Sequence, residues 1–262
     1  MPEALTSDPA GTTSVQSERP RGKTEQAWFP LRFDLAEQQD FKKLVPLRKV
    51  ILIDIFFQVG QHLSLYEKGW RLQPYYVEGD GKWADRLRVS VESFRAARYV
   101  MGQSVAGKSK KRGLGWFKYQ PGYAARNGKL YRTEYHAAKY ARVKKGEGVR
   151  CAAIDRHTWA VLISALKKGA LDHVDLAVYL AVAYLWERYG GSIPGKDSIT
   201  VPKAEIEPIT GIKVAAFMKS LEQLSALGLF SFQIGKHGAK WTAEIADWRP
   251  ILDVKGKAFA NL

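Results

Sequence analysis

The residue types and spacings in this chain favour binding over catalysis. His62, His136, His157, His173 and His237 are scattered, with no His-x-His pair and no Cys/His pair at metal-ligand spacing. No G-x-x-x-x-G-K-[S/T] string is present to cradle a phosphate, and no compact acidic cluster suggests metal-dependent phosphodiester chemistry. Tyr135-His136 has the types for a tyrosine nucleophile, but the surrounding aromatic pattern explains Tyr135 as a packed hairpin residue. Cys151, between Arg150 and Ala152, reads as a buried strand residue. The sequence therefore predicts no enzyme, no cofactor and no metal site. It predicts a grip on a polyanion. Residues 82–150 carry 18 Lys and Arg against 4 Asp and Glu, a net +14 of the chain's formal +15. Residues 1–81 come to −1 and residues 151–262 to +2. One strongly basic folded block in an otherwise near-neutral protein is the footprint of nucleic acid.

Within that block, Ser90 can cap a helix in which Val91, Phe94, Ala97 and Met101 share one face. The opposite face carries Glu92, Arg95, Ala96 and Tyr99, with Ser93 at its side and Arg98 nearer the core. Preceded by a short helix over residues 82–87, this is a helix-turn-helix, whose second helix lies in the major groove of a duplex. Arg95 can fork onto a guanine and Glu92 can accept from a cytosine amine, while Arg98 is placed for phosphate. Next comes a basic loop with Lys108, Lys110, Lys111 and Arg112. Aromatic runs then flank Asn127-Gly128, a hairpin signal, and this hairpin carries Lys118, Arg126, Lys129 and Arg132. Ser90, Glu92, Ser93, Arg95, Arg98 and Tyr99, with these loop and hairpin cations, form the expected DNA-contacting set. A solvated amphipathic helix is the plainer reading of the helix alone; the basic loop and hairpin behind it favour contact with double-stranded DNA.

Those residues need a scaffold. A broadly apolar helix is expected over residues 46–65, with Pro46 in its first turn. Helix, helix-turn-helix and hairpin in that order make a winged helix. The order returns later: helices capped by Asp155 and Asp172, a helix pair around Gly211 in residues 200–228, and a hairpin turning at residues 235–238. The expected fold is thus α+β, mainly helical, with two winged-helix domains in tandem. Residues 1–25 are expected as a disordered tail, 26–148 as the basic domain and 149–262 as the second, joined near the glycine- and lysine-rich residues 144–148. The aromatic segment from Trp28 to Phe41 is expected to pack on the first domain. In the second pair, Val214, Ala215, Met218 and Lys219 hold the reader positions. That mostly apolar face suits thymine methyls, another protein, or pairing of two copies into a homodimer.

One cysteine excludes an internal disulfide and fits a reducing compartment. Residues 1–24 lack the apolar core of a secretory signal, and the apolar run from Leu176 to Trp186 falls well short of the roughly 20 residues a membrane span needs. A soluble cytoplasmic protein with no membrane partner is expected. The two halves together resemble the bipartite winged-helix replication initiators of plasmids, through Arg88-Val89-Ser90-Val91-Glu92-Ser93-Phe94-Arg95, the hairpin at Arg126-Asn127-Gly128-Lys129, and residues 206–229. That resemblance implies binding to repeated origin sites, help in melting an adjacent A+T-rich segment, and host replication proteins as partners. In that family the second unit is often a main repeat reader, whereas the charge here favours the first. A winged-helix transcriptional repressor would use the same chemistry, and an interaction protein using the second apolar helix is a further class.

Overall fold

The computed structural model describes residues 28–105, 113–124, 130–142, 147–237 and 240–246. The chain enters through β1 (Trp28–Arg32), the short helices α1 (Phe33–Ala36) and α2 (Gln39–Lys43), and the long α3 (Pro46–Glu67). Pro46 starts α3, where its missing N–H costs nothing. Then come β2 (Tyr76–Glu78), α4 (Asp80–Arg86), α5 (Val91–Met101), β3 (Gly102–Ser104), β4 (Phe117–Gln120), β5 (Tyr123–Ala124), β6 (Leu130–Tyr131) and β7 (Thr133–Ala138). A four-stranded sheet runs in the order β2-β7-β4-β3, and β5 pairs with β6 beyond it. The turn between α4 and α5 forces Arg88 to φ 51°, a left-handed conformation that side chains seldom adopt.

The second half begins with β8 (Cys151–Asp155), α6 (Arg156–Lys168) and α7 (His173–Arg188). Asp155 accepts from the His157 and Thr158 amides, and Asp172 forms a capping box with Asp175, as the sequence suggested for both helix starts. β9 (Ser198–Pro202), α8 (Lys203–Thr210), α9 (Val214–Ala226), β10 (Ser231–His237) and β11 (Lys240–Ala246) follow. Their sheet order is β10-β11-β9. In both halves a lone strand after the long helix pairs with the second strand of the hairpin, and a helix pair lies between them in sequence. The architecture is mixed α and β with small sheets. The second hairpin turns later than its sequence suggested, since β10 continues through Gly235 and His237.

The two halves do not keep separate cores. The buried apolar residues form one contiguous cluster from Phe29 to Ile245. The reason lies in α3 and α7. Both are apolar on nearly all sides, with Val50 through Phe57 and Leu176 through Trp186 buried, and such a helix needs neighbours all round. They pack on each other. The expectation for Trp28 to Phe41 is met only in part: Phe29 meets Phe57 edge-on, but β1 pairs antiparallel with β8 and so ties the halves together. The helix-pair turns are cross-docked as well. His173 Nε2 meets the Leu87 carbonyl at 2.9 Å and Lys167 pairs with Asp85 at 2.6 Å, both at the first turn. At the second, Lys49 donates to the Thr210 carbonyl at 2.6 Å. Gly211 there has φ 67°, and a Cβ on it would lie 1.9 Å from the Lys42 carbonyl oxygen, so no other residue fits.

Candidate nucleic-acid interface

The candidate surface is built on α5. Phe94, Ala97 and Met101 anchor it in the core, and Phe94 stacks on Trp83 of α4 with ring centroids 5.6 Å apart. The Ser90 hydroxyl accepts from the Ser93 amide at 3.0 Å and fixes the start of the helix. This leaves Glu92, Ser93, Arg95, Ala96 and Tyr99 exposed on the outward face, with Tyr99 half exposed at 50 %. Lys118 on β4 and Arg132 just before β7 are exposed on the hairpin. Lys108, Lys110, Lys111, Arg112, Arg126 and Lys129 lie outside the described residues.

Arg98 is placed differently from its expected role. It is only 6 % exposed, and its guanidinium pairs with Asp80, donates to Thr133 Oγ1 at 3.0 Å and lies 5.0 Å from the Tyr119 ring centroid. A side chain held this way cannot reach a phosphate; it joins α5 to α4 and to the hairpin. Arg98 sits at the edge of the core face beside Phe94, and the physical reason for its inward turn is the approach of Asp80 and Thr133, which hold its guanidinium there. Arg95 is the exposed partner of the same carboxylate: its Nε donates to Asp80 at 2.8 Å. Thr133 Oγ1 also donates to Asp80, at 3.1 Å. Burial pushes the Asp80 carboxyl up, but hydrogen bonds from Arg95, Arg98 and Thr133 outweigh it and hold the group below the usual carboxylate range.

Asp80 was missed by the sequence reading, and so was much of the charge balance. Acids from before residue 82 reach the basic block in space. Asp54 takes Arg86 at 2.7 Å, Glu67 takes Arg142, Glu78 lies 3.8 Å from Lys82, and Asp80 takes Arg95 and Arg98. Counting charge along the chain therefore overstates the free positive charge of the folded block. A helix starting at Gly79-Asp80, with Arg residues a helix later, was the one available hint.

In the second half, α9 buries Phe217, Leu221 and Leu224. Val214 and Met218 are half-buried and pack against the core, so the outward surface is Ala215, Lys219 and Glu222, more polar than its sequence suggested. Tyr135 is fully buried and burial pushes its hydroxyl pKa up, which agrees with a packed aromatic. Among the described residues there is no group of three or more side chains fit to hold a metal ion, and no helix is long and apolar enough to cross a membrane. No protein-family model, curated protein or solved structure matches the chain.

Proposed function

We propose that this chain is a sequence-specific binder of double-stranded DNA made of two winged helices in tandem, acting in the cytoplasm as the replication initiator of a plasmid or phage. The observation that carries the reading is the outward face of α5. A firmly anchored helix offers Glu92, Ser93, Arg95 and Tyr99 to solvent, and exposed cations of a hairpin stand on the same unit. Support also comes from the repeated order of elements, in which the lone strand, the helix pair and the hairpin recur with the same strand pairing. Base edges are read by such a helix, while Lys118, Arg132 and their neighbours along the hairpin meet phosphates and set the register. Initiation, with host replication proteins as partners, rests on two dissimilar winged helices fused in one chain, without a ligand-binding or sensor domain among the described residues. The test is footprinting of the full chain on DNA flanking its own gene. Protection of iterated repeats, together with autonomous replication of a plasmid carrying only those repeats and the gene, supports initiation. Protection confined to a promoter, without replication, identifies a repressor instead.

A further inference from the structure

We propose that Asp80 is a specificity-determining positioning residue, whose carboxylate holds the Arg95 fork on the outer face of α5 in the orientation that reads a guanine. The proposal rests on the DNA-reading function above. An exposed arginine alone samples many rotamers, and ordering it for a bidentate contact costs free energy at the moment of binding. Here one end of that contact is fixed in advance. The Asp80 side chain is 12 % exposed and is itself anchored from below by Arg98 and Thr133, so it is a rigid acceptor. Arg95 adds nothing to the core, since its side chain is 59 % exposed, yet its Nε is tied to Asp80 Oδ2 at 2.8 Å. The bond engages Nε of a mostly exposed side chain, so the terminal Nη groups are not the atoms tied to Asp80. Those are donors that can meet O6 and N7 of guanine together. Two arginines on one carboxylate keep the cluster net positive, so the buttress does not cancel the attraction to DNA.

The experiment uses the full chain and the duplex found by footprinting, with each guanine replaced in turn by 7-deazaguanine. The wild type should lose about 10- to 100-fold in affinity at one guanine, the scale of one charge-assisted hydrogen bond, since the replacement removes N7 and leaves O6. Arg95→Ala should show no further loss at that guanine. Asp80→Asn should weaken cognate binding about tenfold, within the same range, and shrink the 7-deazaguanine penalty. Its binding to random duplex should hold or tighten, because a negative charge is gone. Because Asp80→Asn also touches Arg98 and could loosen the fold, the double variant Asp80→Asn/Arg95→Ala decides. A positioning role makes the Asp80 effect vanish once Arg95 is absent, whereas a damaged fold keeps it. In the free wild-type chain, the Arg95 Nε–H should exchange slowly by NMR, and Asp80→Asn should abolish that protection. Equal losses on cognate and random DNA, or an Asp80 effect that survives Arg95→Ala, overturns the positioning role alone. A wild-type chain with no sequence preference overturns the DNA reading and this proposal with it.

Discussion

Lys49 carries the sharpest energetic prediction. It is 3 % exposed, donates to the Thr210 carbonyl at 2.6 Å and lies 5.6 Å from the centre of the Phe41 ring. Burial alone pulls its ammonium down to about 8 from 10.5. In the unfolded chain the amine keeps its proton up to about pH 10.5. Between pH 8 and pH 10.5 the folded protein therefore binds fewer protons than the unfolded chain, and stability rises with pH across that window. Below pH 8 the full penalty is present. At about 1.4 kcal/mol per pKa unit, it amounts to about 3 kcal/mol at pH 7, of which about 1 kcal/mol is relieved by pH 9. Lys49→Met removes the charge at similar length but leaves the Thr210 carbonyl without its donor, at a cost of about 1–3 kcal/mol. The two effects nearly offset at pH 7, so the decisive quantity is the pH dependence. Urea unfolding followed by tryptophan fluorescence, at pH 7 and pH 9, should show the wild type gaining about 1 kcal/mol on the variant. Parallel behaviour of the two proteins, or a wild type that loses ground as pH rises, would refute the burial penalty on the Lys49 ammonium.

Three further outcomes follow from the geometry. Ser90→Ala removes the oxygen that accepts from the Ser93 amide, and thermal unfolding should show a loss of about 1 kcal/mol. Gly211→Ala drives a methyl group into the Lys42 carbonyl at a left-handed position, so it should destabilise by more than about 2 kcal/mol in urea titration, and a neutral result would contradict the cross-docking. Arg132→Ala should weaken binding to cognate and random duplexes alike and flatten the slope of log affinity against log salt by about one unit.

Local signals in the sequence located most elements. Ser90, Asp155 and Asp172 mark helix starts because their side chains satisfy free amides nearby in the chain, and Gly169 and Gly211 mark helix ends because only glycine is comfortable there. What the sequence did not show is everything set by distant contacts. The shared core of α3 and α7, the β1–β8 pairing and the acids that pair with cations of the basic block depend on residues far apart in the chain. The same limit explains the site. Helical spacing places Glu92, Arg95 and Tyr99 outward, but Arg98 lies at the edge of the wheel, where the approach of Asp80 and Thr133 decides that it turns inward.

The most direct test of DNA reading by α5 is filter binding of the full chain and its Arg95→Ala variant, over a salt series, to the footprinted duplex and to random duplex. The variant should lose about 1–3 kcal/mol on the footprinted site and much less on random DNA, with little change in salt slope. Equal losses on both duplexes, or no loss on either, would contradict the assignment of α5 as the reading helix.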